Sequence, residues 1–458
     1  MCYPPAGPSR ARRRKPTHVH PRRREQPAWS GAWGALLKRV VLLPGDTRPM
    51  SNLPAQRDYD CLVLSGGGAN GAYGAGVAKA LEVYRQRKAV DRPLCYIGTS
   101  AGALNAYMLA ARGPDELIRF WRTLSNKAIL GSDEPPSLPR LIRRITSCGF
   151  RNVPFSMYDN AALRRLMETN ADLADLKSPL IVAVTDYTSG GLRAFYHGDI
   201  VDRVVAEDAK AAERARRLKH LRRIGNTEIL IDALLASAAI PVFFPPVSIQ
   251  IVHAGVTEAS AFVDGGVGNN TPTREAAYFS RYLEELGEGT VNTVFCVTQD
   301  PPRIFQHGAG PRGLLEIVQR TLDVFQYVHT APIVDAWTRI NREVESHRKK
   351  IDEIAAWLDA APLLPKTRDE VKAQLEAAFG GLGGRTARVT KPLVKIGPTS
   401  DLGDFLDFSP ALSEKRITAG YVDGLRAIRA TADPDQPDET LIDEAELQLL
   451  LNRPIWQD

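Results

Sequence analysis

The feature that most constrains this chain is a short unit that occurs twice before residue 113: an apolar run, a glycine-rich turn, then a helical segment. In the first copy Cys61-Leu62-Val63-Leu64 leads into Gly66-Gly67-Gly68-Ala69-Asn70-Gly71. A helix is expected from Ala72 to about Lys88, on apolar positions Val77, Leu81 and Tyr84. In the second copy Leu94-Cys95-Tyr96-Ile97 leads into Gly98-Thr99-Ser100-Ala101-Gly102 and a helix through about Arg112. Short continuous apolar runs suit strands buried on both faces. Strand, turn and helix in repetition is the grammar of a parallel α/β sheet. Leu180–Val184, Ala261–Val263, Val291–Val297 and Val394–Ile396 extend the strand pattern, and Ser413–Ala430 reads as a late helix.

Charge and hydropathy narrow the function classes. The chain of 458 residues carries a net charge of +6, but ten Lys or Arg stand against Glu25 alone within residues 1–40, leaving the remainder slightly acidic. A nucleic-acid partner is therefore not expected. No apolar stretch approaches the ~20 residues that span a bilayer, and Ala35–Leu43 is broken by Lys38 and Arg39, which argues against a secretory signal. Residence in the cytoplasm or at a membrane periphery is the expectation. Residues 1–57 read as a basic, disordered tail, 58–435 as one large domain, and 436–458 as an acidic tail. Within the domain, 202–223 reads as a basic helical insertion, either a solvated surface helix or a lid meeting anionic headgroups, and 315–380 as a helical region. Cys2, Cys61, Cys95, Cys148 and Cys296 give neither a metal-binding spacing nor a disulfide framework, so no metal is expected and a reducing compartment fits.

Three motifs carry chemistry. Gly98-Thr99-Ser100-Ala101-Gly102 matches G-x-S-x-G, in which a serine on a strained strand-to-helix turn projects above the sheet. The flanking positions need glycine because a Cβ would clash as the helix doubles back. Gly66–Gly71 can gather backbone N–H groups into an anion-binding concavity. The same loop also satisfies G-x-G-x-x-G through Gly66, Gly68 and Gly71, with Asp91 twenty residues beyond Gly71, as a dinucleotide site would have it. Alone, this loop leaves both readings open. Asp264-Gly265-Gly266 follows Ala261-Phe262-Val263 and sets an acid at a strand end, where it could serve a neighbouring strand's serine as general base. Thr271-Pro272 then reads as the cap and first residue of a helix. Asp186, also after a strand, reads as a structural turn residue.

Together these motifs resemble the patatin-like phospholipase family in identity and order, and Ala236-Ser237-Ala238-Ala239-Ile240-Pro241-Val242-Phe243-Phe244-Pro245-Pro246 is similar to the segment that family carries before its catalytic aspartate. The resemblance covers roughly Asp60–Asn270 and extends toward Gly420-Tyr421. It implies a three-layer α/β/α fold with a mostly parallel central sheet, and a Ser–Asp dyad with Ser100 as nucleophile and Asp264 as base. Backbone N–H groups of Gly66, Gly67, Gly68 and Ala101 form the implied oxyanion hole, and Gly71, Gly98, Gly102, Gly265 and Gly266 complete the motifs. The implied activity is lipid acyl-ester hydrolysis through an acyl-serine, with no cofactor, a lipid ester substrate met at a membrane surface, and room for an unidentified protein activator. Ala69-Asn70 stands where the family often has a basic residue. A Ser–Asp–His order would need His307, His329 or His347. Rival readings are a nucleotide-binding oxidoreductase built on Gly66–Gly71 and a catalytically silent lipid- or partner-binding scaffold.

Overall fold

A computed structural model describes residues 57–132, 156–208, 220–253, 256–299 and 392–430, with helical parts of 334–371. Both expected tails, apart from residue 57, lie outside the described residues, as do 209–219 and most of 315–380.

Both strand–turn–helix units form as expected. β1 (Tyr59–Leu64) leads through a 3-10 turn (Gly68–Asn70) into α1 (Gly71–Arg87). β2 (Leu94–Thr99) leads into α2 (Ala101–Ala111). Then come α3 (Pro114–Thr123), α4 (Asn126–Leu130) and α5 (Ala161–Asn170). β3 (Leu180–Asp186), β4 (Leu192–His197), α6 (Asp199–Asp208), β5 (Leu221–Arg223) and α7 (Thr227–Ser237) follow. The hairpin β6 (Val247–His253) and β7 (Val256–Asp264) precedes α8 (Gly266–Asn269), α9 (Thr273–Leu286) and β8 (Val291–Val297). β9 (Leu393–Ile396) and α10 (Pro410–Ala430) complete the described elements.

The strands form one sheet in the order β5-β4-β3-β2-β1-β8-β9, with β7 joined to β3 and β6 to β7. β2–β1, β2–β3, β1–β8, β8–β9 and β4–β5 are parallel, whereas β4 and β7 run antiparallel to β3. Period-two alternation explains why β1 is apolar on both faces from Cys61 to Leu64. Leu62 and Leu64 pack into the core shared with α1, α2 and α3. Cys61 and Val63 pack into a second core with α6 and α9, through Ile200, Val201, Phe279 and Leu283. The sheet is thus mostly parallel with helices on both sides.

Several local expectations need correction. Leu221–Arg223, expected as the end of a basic helix, is a strand: Leu221 is buried and pairs with Ala194. Thr271-Pro272 lies one step early, for α9 begins at Thr273 with Pro272 as its cap. β4 and β6 were not expected, and both owe their place to antiparallel partners just across a turn, β3 and β7.

α1 and α10 cross in backbone contact. A Cβ built on Gly76 would lie 1.9 Å from the Ile417 carbonyl oxygen, and one on Gly420 would lie 2.0 Å from that of Tyr73. Cys61, Cys95 and Cys296 are buried free thiols. Among the described residues no helix is long and apolar enough to cross a membrane.

Candidate active site

The site forms where β2 and β7 meet. β2 runs parallel to β3 and its last residue, Thr99, pairs with Ala183. β7 runs antiparallel to β3 and its last residue, Asp264, pairs with Val184. β4 occupies the other edge of β3 at both positions, so β2 and β7 approach end to end along one edge. Ser100, the residue after β2, therefore arrives beside Asp264.

Ser100 caps α2 with φ 55° and ψ −129°, a region costly to a residue with a side chain and typical of strained functional turns. The tightness of the turn accounts for its glycines. A Cβ on Gly98 would lie 2.1 Å from the Gly102 carbonyl oxygen, and one on Gly102 would lie 2.3 Å from that of Leu64. Gly265 has the same reason: its Cβ would lie 2.4 Å from the Ala183 carbonyl oxygen.

Asp264 is 2% exposed. Its Oδ1 accepts a hydrogen bond from the Gly266 N–H at 2.6 Å. Burial pushes its pKa up to about 7, against the opposing effects of the Ser100 hydroxyl and the Gly266 N–H. Oδ2 is buried without a hydrogen-bond partner; the serine hydroxyl is near enough to favour the carboxylate but has not closed to full hydrogen-bond geometry. Such contacts commonly tighten only when substrate is bound.

The Gly66–Gly71 loop lies against this pair: a Cβ on Gly66 would be 3.0 Å from Ser100 Cβ. Three distant segments hold it. Gly66 donates its N–H to the Asn270 carbonyl at 3.1 Å, and Ala69 donates to the Phe405 carbonyl at 2.7 Å. Gln299 Nε2 donates to the Ser65 carbonyl at 3.0 Å, and the Gln299 backbone N–H to Ser65 Oγ at 2.9 Å. This removes Gly66 from the expected set of oxyanion donors, since its N–H already has an acceptor. The N–H groups of Gly67 and Gly68 have none among the described residues, and Ala101, first in α2, has no intrahelical acceptor. Gly68 has φ 56°, which lets consecutive N–H groups turn to one side. Gly71 packs beneath the Trp121 indole, whose Nε1–H donates to Asn105 Oδ1 at 2.7 Å while Asn105 Nδ2 donates to the Gly71 carbonyl at 2.8 Å.

The dinucleotide reading loses its second element. Asp91 precedes β2 and so stands at the opposite end of the parallel strands from the glycine loop, where it could not reach a ribose held there. Asp186 is a turn residue, its Oδ1 accepting the N–H groups of Thr188 at 3.0 Å and Ser189 at 3.1 Å. His307, His329 and His347 lie outside the described residues.

Residues 62–277 match the family model described as patatin-like phospholipase. This segment belongs to the patatin-like phospholipase family. A cGAMP-activated phospholipase of Pseudomonas aeruginosa (strain BWHPSA011 / Pa011) is 27% identical over 226 residues, which is 49% of this chain and 56% of that protein. The chain thus matches little more than half of this relative's length. Among solved structures, VipD from Legionella pneumophila aligns at 15% identity over 86% of this chain and 73% of its own, with a TM-score of 0.31. The complex of SpcU with ExoU from the Pseudomonas aeruginosa type III secretion system aligns at 15% identity over 87% and 77%, with a TM-score of 0.18.

Within the patatin-like segment, two participants had no signal of their own in the sequence. Ser237 Oγ accepts the Ser100 N–H at 2.9 Å and donates to the Ala183 carbonyl at 2.7 Å. The Ala239 carbonyl accepts the Asp264 N–H at 3.0 Å. Both sit inside the Ala236–Pro246 segment, but nothing local distinguishes Ser237 from a helix-terminal serine.

Proposed function

We propose that this protein is a lipid acyl hydrolase of phospholipase A or esterase type, acting through a Ser100–Asp264 dyad at the core of a domain spanning about 58–435. The observation that carries the reading is the end-to-end approach of β2 and β7, which brings a serine on a strained turn beside a buried carboxyl with a pKa of about 7. A base poised near neutrality suits proton abstraction from a hydroxyl.

In this mechanism Ser100 Oγ attacks the ester carbonyl carbon as its proton passes to Asp264. The carbonyl oxygen becomes an oxyanion facing the N–H groups of Gly67, Gly68 and Ala101, where preorganised donors are most effective. Collapse breaks the ester C–O bond, the leaving alcohol takes the proton from Asp264, and an acyl-serine remains. Asp264 then draws a proton from water, whose hydroxide attacks the acyl carbon; as the acyl C–Oγ bond breaks, Asp264 returns that proton to Ser100 Oγ and a free fatty acid leaves. The substrate is read as a lipid presented at a membrane surface that the protein meets peripherally.

The test is hydrolysis of a fluorogenic medium-chain ester and of mixed phospholipid vesicles by wild type, Ser100→Ala and Asp264→Asn, with folding checked for each. Loss of turnover in both variants is expected, and persistence in Ser100→Ala would overturn the dyad. The similarity to a cGAMP-activated relative makes a parallel arm with added cyclic dinucleotide informative, since an activator-dependent enzyme would be silent without it.

A further inference from the structure

Ser237 stands at the end of α7, is fully buried, and uses its hydroxyl in both directions. The place it occupies follows from the sheet. β2 and β3 pair in register up to Thr99 and Ala183, and the chain then leaves the ladder because Ser100 adopts φ 55°. This departure leaves a buried N–H on Ser100 and a carbonyl on Ala183 that needs a donor. The hydroxyl of Ser237 spans them, at 2.9 Å to the first and 2.7 Å to the second. Its orientation is fixed by chemistry, since a carbonyl can only accept and an N–H can only donate. Two residues later the Ala239 carbonyl holds the Asp264 N–H at 3.0 Å. One three-residue segment thus grips the main chain of both proposed dyad members.

We infer that Ser237 is a positioning residue, its hydroxyl replacing the sheet rung lost at the elbow and so fixing Ser100 Oγ relative to Asp264. The inference rests on the reading of Ser100 as nucleophile. Removing the hydroxyl leaves two buried polar groups unpaired and frees the elbow to relax; a misplacement of about 1 Å costs on the order of 100-fold in rate.

The experiment compares the full-length wild type with Ser237→Ala, Ser237→Cys and Ser237→Thr. It reads kcat and KM on a soluble ester, the pH midpoint of kcat/KM, the rate at which a fluorophosphonate labels Ser100, and Tm. For Ser237→Ala, kcat and labelling rate are expected to fall roughly 10- to 100-fold with KM within about twofold. The midpoint is expected to move to higher pH, because a displaced Ser100 hydroxyl no longer favours the Asp264 carboxylate. Ser237→Thr, which keeps the hydroxyl, should recover much of the rate. A folded Ser237→Ala with wild-type kcat and midpoint would overturn the inference, and so would a fall in rate with an unmoved midpoint. Should Ser237→Ala fail to fold, Ser237→Cys carries the test: its weaker, longer bonds predict an intermediate loss, and full activity would overturn the inference. Absence of both turnover and Ser100 labelling in the wild type, with and without added cyclic dinucleotide, would instead overturn the nucleophile reading beneath it.

Discussion

Ser100 and Asp264 meet end to end along a single edge of β3, Ser100 just past the end of the parallel strand β2 and Asp264 at the end of the antiparallel strand β7. Parallel neighbours alone would send both residues to the same end of the sheet but on separate strands, one strand spacing or more apart. The reversed direction of β7 lets two strands share one edge and places their terminal side chains together.

The first consequence is a pH profile. Burial holds Asp264 near a pKa of about 7, and a base must be ionised to accept a proton. Ester kcat/KM is expected to rise about tenfold per pH unit below that midpoint and to level above it. A plateau extending down to pH 5, measured with a soluble ester, would assign the base to another group.

The same burial has a cost in stability. The folded-state pKa of Asp264 lies above its unfolded value. Its contribution is therefore fully present below about pH 4 and is lost as pH rises through about 7. Three pKa units correspond to about 4 kcal/mol as an upper figure. Asp264→Asn, which carries no charge, should accordingly be more stable than wild type at pH 8 and gain little at pH 4. Urea denaturation at the two pH values checks this, and an equal effect at both would contradict it.

Gly98→Ala should be severely destabilising, because its Cβ would strike backbone at Gly102, 2.1 Å away, and backbone cannot swing aside. A loss of roughly 3 kcal/mol or more is expected. Gly225→Ala, with nothing within 4 Å, should change stability by less than about 1 kcal/mol. Chemical denaturation of the pair separates steric necessity from a general sensitivity of glycines.

A contact beyond the patatin-like segment reaches the glycine loop through Arg416. This side chain is 1% exposed and donates to three carbonyls, from Nε to Leu402 at 2.9 Å, from Nη1 to Asp407 at 2.7 Å and from Nη2 to Asp404 at 2.6 Å. Burial lowers its pKa to about 10, so it remains charged at neutral pH. The loop it gathers carries Phe405, whose carbonyl holds the Ala69 N–H. Arg416→Leu should cost about 3 kcal/mol or more, through carbonyls left unpaired, and should lower ester turnover in the fraction that stays folded. Turnover per folded molecule equal to wild type would separate this loop from the proposed oxyanion site.

Sequence alone determined the features whose causes are local. The apolar runs at Cys61–Leu64 and Leu94–Ile97, the glycines around Ser100 and the acid before Gly265-Gly266 announce strands and turns because periodicity and steric room act over a few residues. Those same motifs carried the family resemblance and the three-layer fold. What tertiary structure decided was non-local. Leu221–Arg223 became a strand because β4 offered an edge and the core took Leu221, although its two arginines suit a solvated helix equally well. Gly66 lost its place among the expected oxyanion donors to the Asn270 carbonyl, a partner no spacing announces. Ser237 entered the site only because the elbow broke a ladder between two other strands. A hydroxyl at a helix end has no sequence signature for that duty, since the gap it fills exists only after β2, β3 and α7 have packed.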